Sequence, residues 1–179
     1  MTKWKVLLLA LLLSIQTLAI AGLNEGVTAY EAKDYATALK EFLPLANQGD
    51  AQAQFKLGLM YANGRGVPKD EAQAVAWYRK AAEQGDAMAK TNLGVMYGNG
   101  RGVPKDVVLA YMLYNIAAAN GDEKAINNRA SLEGTLSRQQ ITEAQALASA
   151  WKPGTPFPTT SRTGAWFSRH ILRSRRRLR

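Results

Sequence analysis

Asn63-Gly64-Arg65-Gly66-Val67-Pro68-Lys69-Asp70 recurs unchanged as Asn99-Gly100-Arg101-Gly102-Val103-Pro104-Lys105-Asp106, 36 residues further on. Outward from this octapeptide, residues 50–85 and 86–121 align without a gap and are identical at 20 of 36 positions. A fixed period of this size marks a stack of equal supersecondary units, each burying its apolar face on the next. The shared positions outside the octapeptide include Ala51/Ala87, Leu57/Leu93, Gly58/Gly94, Tyr61/Tyr97, Ala74/Ala110, Tyr78/Tyr114, Ala81/Ala117 and Ala82/Ala118.

Each unit reads as two helices. Asp50 and Asp86 stand directly after a glycine, as N-caps do when one helix has just ended. Ala53, Leu57 and Tyr61 follow at spacings of four, on one helical face. Gly58 lies beside Leu57, where a missing side chain lets a neighbouring helix approach. Gly64 and Gly66 end the first helix, and Val67-Pro68 forces extended backbone. Asp70 caps the second helix, whose buried stripe is Ala74, Tyr78 and Ala81, with Trp77 adjacent.

Partial copies flank the full ones. Ala38, Phe42, Leu45, Ala46 and Gly49 sit 36 residues before Ala74, Tyr78, Ala81, Ala82 and Gly85, and Leu23–Glu31 supplies a short first helix. Downstream, Asp122 holds the cap position and Ala125 follows Ala89 by one period. Gly134-Thr135-Leu136 replaces the long loop. Ser137-x-x-Gln140 is a capping box for a last helix through Ile141, Ala144, Leu147, Ala148 and Trp151. Atypical end units suit a solenoid, whose ends face water. The expected fold is all-α, a short α-solenoid of about four helix-turn-helix repeats with a 36-residue period.

The pattern A-x-A-x-x-x-L-G-x-x-Y-x-x-G-x-G-V-x-x-D-x-x-x-A-x-x-W-x-x-A-A-x-x-G resembles the Sel-one-like repeat (SLR, or Sel1-like repeat), a subclass of the tetratricopeptide-like helical repeats. The likeness is specific over 50–121 and weaker over 23–49 and 122–152. Leu113, where the first copy has Trp77, departs from it by a volume change at an apolar site. The resemblance implies a right-handed superhelix whose concave face is lined by first helices. It also implies an adaptor or assembly role, often in bacterial envelopes.

The 179 residues carry a net charge of +9, unevenly placed. Residues 22–152 hold equal numbers of acidic and basic side chains, so the repeat region is neutral. The excess comes from Lys3, Lys5 and seven arginines after Pro153. Cysteine is absent, which excludes disulfides and thiolate metal sites. Residues 1–21 read as a signal peptide: charge at Lys3 and Lys5, an apolar run from Val6 to Ile20, and an A-x-A site at Ala19-Ile20-Ala21. The mature chain is then expected to start at Gly22, in the periplasm or outside a bacterial cell. An uncleaved membrane anchor is the alternative reading of the same run.

By resemblance to tetratricopeptide repeats, positions between the packing residues of first helices face the groove and bind a protein or peptide. Here these are Val27, Tyr30 and Glu31; Gln52, Phe55, Leu59 and Asn63; and Met88, Thr91, Val95 and Asn99; Lys124 and Asn127 follow in the last unit. Asn63 and Asn99 are suited to hydrogen-bonding a peptide backbone. Phe55 and Leu59 would also serve to pack one unit on the next, and helix spacing alone does not separate these roles.

Catalytic signals are sparse. The single histidine, His170, has no supporting constellation for a triad or a zinc site. Ser149-Ala150-Trp151-Lys152 spells S-x-x-K, the acylation motif of penicillin-recognising enzymes, but no S-D-N or K-T-G accompanies it. Gly98-Asn99-Gly100-Arg101-Gly102 lacks the preceding strand and the K-[ST] of a phosphate loop. No paired carboxylates suit acid–base work. The chain is therefore expected to be no enzyme and to need no cofactor or metal.

After residue 152 the composition changes. Pro153-Gly154-Thr155-Pro156-Phe157-Pro158 reads as a linker, and 159–179 as an Arg-rich extension with no acidic residue. If helical, the extension places Phe167, Ile171 and Leu178 on one side, near Trp166, as an interfacial segment for anionic lipid or polysaccharide would. A solvated, solubilising tail is the plainer reading. Nucleic acid is not an expected partner of an exported protein.

Overall fold

In the computed structural model the described residues are 3–158, and all of their regular structure is helical. Eight helices follow in order: α1 Lys3–Glu31, α2 Tyr35–Asn47, α3 Ala51–Asn63, α4 Glu71–Glu83, α5 Ala87–Asn99, α6 Val107–Ala119, α7 Glu123–Glu133 and α8 Arg138–Ala150. Successive helices pack as hairpins, α1 on α2, α3 on α4 and α5 on α6, and each hairpin leans on the next. The fourth pair differs, because α7 and α8 pack mainly on α6 rather than on each other.

Caps set the boundaries. Asp34, Asp50, Asp70, Asp86, Asp106 and Asp122 each accept a backbone N–H from the first turn of the following helix. Ser137 and Gln140 form the reciprocal capping box of α8. Each such cap stabilises its helix by about 1 kcal/mol. Gly64 and Gly100 end α3 and α5 in the left-handed conformation at φ 66° and 68°.

The octapeptide loop does more than turn the chain. At Gly102 a side chain would run into the Glu71 backbone at the start of α4; at Gly66 it would meet Tyr35 at the start of α2. Tyr35 and Glu71 are themselves one period apart, so each loop docks on the preceding unit's second helix. Arg101 adds a salt bridge to Glu71, and Arg65 Nη1 donates to the Tyr30 hydroxyl at 2.7 Å. Within each unit, Gly58 and Gly94 let the rings of Tyr78 and Tyr114 press onto the first-helix backbone.

The core divides into two clusters. One holds Phe42, Leu57, Met60 and Trp77, and the other runs from Phe55 and Tyr78 through Leu93, Leu109 and Leu113 to Leu147. Leu57, Leu93 and Leu113 are fully buried, each contributing about 1.5–3 kcal/mol by removal from water. The Trp77-to-Leu113 change is absorbed at buried positions of different clusters.

Three features depart from expectation. First, the short first helix expected over Leu23–Glu31 extends back to Lys3 as α1, and Trp4, Leu7, Leu8 and Ile20 on it are exposed. Among the described residues no helix is long and apolar enough to cross a membrane. Second, the glycine that admits Phe42 is Gly26, a spacing of 32 residues from Gly58. The long loop is replaced here by a tight turn through Lys33 at φ 62°. Third, residues 153–158 are no free linker. Gly154 N donates to Glu83 O at 2.7 Å and Phe157 N to Glu83 Oε1 at 3.1 Å. Phe157 stacks on Trp151, the C-cap of α8, at 4.8 Å and is 3% exposed, so apolar burial holds the strap on α8 while the Glu83 bonds tie it to the end of α4. The Arg-rich segment 159–179, with His170, Trp166, Phe167, Ile171 and Leu178, lies outside the described residues.

Candidate partner-binding surface

Two hollows open along the first helices, one between α3 and α5 over α4 and one between α5 and α7 over α6. One, of about 210 Å³, is lined by Leu59, Ala62, Asn63, Tyr78, Asn92 and Val95, among others. The second, of about 300 Å³, is lined by Val95, Gly98, Asn99, Tyr114, Asn128 and Ser131, among others. Each residue of the second set stands 36 positions after its counterpart in the first. The hollow is thus one site repeated, and Val95 belongs to both copies.

The chemistry of each hollow is mixed. Leu59 and Val95 are half-buried apolar walls, and Tyr78 and Tyr114 form the floors. Burial pushes both phenols up to about 12, keeping them protonated. Asn63 Nδ2 donates to Leu59 O at 2.8 Å and Asn99 Nδ2 to Val95 O at 3.0 Å. These bonds turn each amide so that its Oδ1 remains as an acceptor for an incoming N–H.

The residues expected at the groove separate into two groups. Leu59, Asn63, Val95 and Asn99 line the hollows. Glu31, Gln52 and Met88 are exposed outside them, Met88 at 56%. Val27 packs at the edge of the first core cluster. Tyr30 is engaged by Arg65 and meets Tyr35 edge-on at 5.4 Å. Phe55 and Thr91 lie inside, 6% and 3% exposed. Phe55 packs 6.0 Å from the Tyr78 ring, and Thr91 Oγ1 donates to Ala87 O. The two positions are one period apart, and both are buried because inner first helices of a stack have neighbours on two sides. Phe55 is thus a core residue packed on Tyr78 of its own helix pair.

Asn92, Asn128, Ser131, Tyr78 and Tyr114 line the hollows without having been singled out as groove residues. Projecting Leu59 and Val95 forward by one further period would have found Ser131, and the Asn92/Asn128 pair shows the same step. The S-x-x-K serine is occupied elsewhere, since Ser149 Oγ donates to Gln145 O at 2.9 Å. Among the described residues no group of three His, Cys, Asp or Glu side chains gathers.

This architecture defines a helical-repeat protein of the solenoid class. The family model described as Sel1 repeat matches residues 51–86 and 87–122, so the chain carries two Sel1 repeats. Among solved structures, it is similar to a protective antigen present in uropathogenic Escherichia coli strains that displays an SLR fold. That likeness has 32% identity and a TM-score of 0.73, covering 85% of this chain and 32% of the antigen. It is also similar to a Sel1 repeat protein from Oxalobacter formigenes, at 31% identity and a TM-score of 0.60, covering 71% of this chain and 54% of the other. The chain therefore spans about a third of the first relative's length and about half of the second's. Among curated proteins none matches it. Sel1-like repeats are generally protein–protein interaction modules, typically without enzymatic activity.

Proposed function

We propose that this protein is an exported interaction module that holds an extended segment of a protein partner along α3, α5 and α7. The observation that carries the reading is the pair of equivalent hollows one 36-residue unit apart. A repeated site suits an extended chain, which presents similar backbone groups at regular intervals. Leu59 and Val95 would take apolar side chains, and the Asn63 and Asn99 carbonyls would accept backbone N–H groups. The neutral charge of residues 22–152 favours recognition by shape and hydrogen bonding over attraction to a polyanion.

Export is supported by the A-x-A site at 19–21 and by the apolar side chains of α1 that remain exposed. N-terminal sequencing of protein recovered from the envelope tests it: a start at Gly22 supports a cleaved signal, and an earlier start supports an anchor. The groove is tested by selecting displayed peptides on the chain and measuring their affinity for Leu59→Arg and Val95→Arg variants. Loss of binding in folded variants supports the groove, and unchanged affinity removes it.

A second reading rests on charge placement. Seven arginines after Pro153, without an acid among them, suit attachment to anionic lipid or polysaccharide. Such attachment weakens steeply with salt, whereas groove binding largely persists.

A further inference from the structure

Lys90 is 1% exposed, and no carboxylate pairs with it among the described residues. A buried ammonium without a counter-ion is costly, so each such case asks what completes its environment. The hydrogen-bond acceptor described for it is Gly85 O, 2.6 Å from Nζ, and Nζ lies over the Trp151 ring, 5.1 Å from its centroid. Burial pulls the Lys90 ammonium below its usual range, and the Asp86 carboxylate, engaged in capping α5, opposes this.

Lys90 stands in the wall of a cavity of about 430 Å³, larger than either groove hollow and sharing no residue with them. The cavity opens between the ends of α4, α6 and α8. Asn115, Asn120 and Ser149 give it polar groups, and Ile116 and Trp151 give it apolar walls.

The preceding unit shows what a closed version looks like. One period before Lys90 stands Gln54, and one period before Asn120 stands Gln84. Gln84 Nε2 donates to Gln54 Oε1 at 2.8 Å and to Gly49 O at 2.9 Å, and Gln54 Nε2 donates to Ala46 O at 3.0 Å. Two neutral amides therefore satisfy each other where the second unit holds a cation. Asn120 is one methylene shorter than Gln84, which leaves open the space its counterpart fills. The second unit has thus exchanged a self-satisfied pair for a cation beside a cavity.

We propose that this cavity binds a small carboxylate with an apolar body, its oxygens taken up by the Lys90 ammonium and its body resting on Ile116 and Trp151. Charge complementarity selects the carboxylate, since a charge-assisted bond completes the donor set of a desolvated ammonium. The volume admits a free acid or the last one or two residues of a peptide. A peptide C-terminus and a free aliphatic acid share this chemistry.

The test follows the Trp151 indole N–H resonance of the full chain on addition of N-acetyl-leucine, N-acetyl-leucinamide or hexanoate. The expected result is a saturable shift with at least one of the two acids and none with the amide. A response to N-acetyl-leucine alone marks a peptide terminus as the source, and an equal or stronger response to hexanoate marks a free acid. Lys90→Gln, which installs the residue found at position 54, should weaken the acid by on the order of tenfold or more. Should that variant not fold, Asn120→Gln, which restores the first unit's longer amide, should weaken it instead. Equal response to acid and amide, no saturable shift up to about 10 mM, or affinity unchanged in the folded variants would overturn the proposal.

Discussion

Arg101, in the second long loop, donates through Nε at 2.9 Å and Nη2 at 2.6 Å to Oε1 of Glu71, the first residue of α4 in the preceding unit. The octapeptide is therefore a clamp between units as well as a turn within one. Arg101 and Lys69 hold the Glu71 carboxyl below its usual value. A depressed carboxylate stabilises the fold above the ordinary glutamate range, and this contribution fades as pH falls through the lowered value. Glu71→Gln should thus lower the melting temperature at neutral pH, with the difference from the parent vanishing in acid. A difference that persists unchanged in acid would show that charge is not the source.

Gly58 and Gly94 give a prediction whose sign is informative. Alanine in place of glycine within a helix ordinarily gains up to about 1 kcal/mol. Here the new methyl would meet the Tyr78 or Tyr114 ring, and overpacking costs about 1–3 kcal/mol. Gly58→Ala and Gly94→Ala should each destabilise the protein in urea unfolding, and a net gain would contradict the close approach.

The tyrosines predict alkaline behaviour. Burial raises Tyr78 and Tyr114 from the usual 10.0 to about 12. A raised phenol stabilises the folded state fully below pH 10, and this is lost as pH rises towards 12. In a spectrophotometric titration, Tyr78 and Tyr114 at least, of the seven tyrosines, should resist ionisation until the fold gives way near that limit, and buried Tyr111 is shifted the same way. Smooth titration of all seven around pH 10 would contradict the buried floors.

The strap can be removed outright. Phe157 is 3% exposed against Trp151, and truncating such a ring costs about 3–5 kcal/mol. A chain ending at Pro153, or Phe157→Ala, should melt below a chain ending at Pro158. Equal stability would return residues 153–158 to the status of a linker.

Much of the fold is legible in the sequence itself. Local signals sit where local chemistry decides: the aspartate caps, the Ser137–Gln140 box, and the positive-φ glycines Gly64 and Gly100 all function as their sequence context implies. Non-local packing was not legible. Phe55 and Thr91 look like free positions of an amphipathic helix, yet stacking buries them from a second side. Pro153–Pro158 has the composition of a loop, and only the meeting of Phe157 with Trp151 and of two backbone N–H groups with Glu83 docks it. The Gln54-to-Lys90 exchange is visible in the alignment, but its consequence depends on how far Asn120 reaches.

The groove is the central claim, and Val95 is its most direct probe because it lines both hollows. The measurement is the affinity of a selected peptide for the parent chain and for Val95→Arg, with the melting temperature of each as control. Loss of binding on the order of tenfold or more, at preserved melting temperature, is the predicted result. Unchanged affinity in a folded Val95→Arg protein would contradict the account and move the partner to another surface.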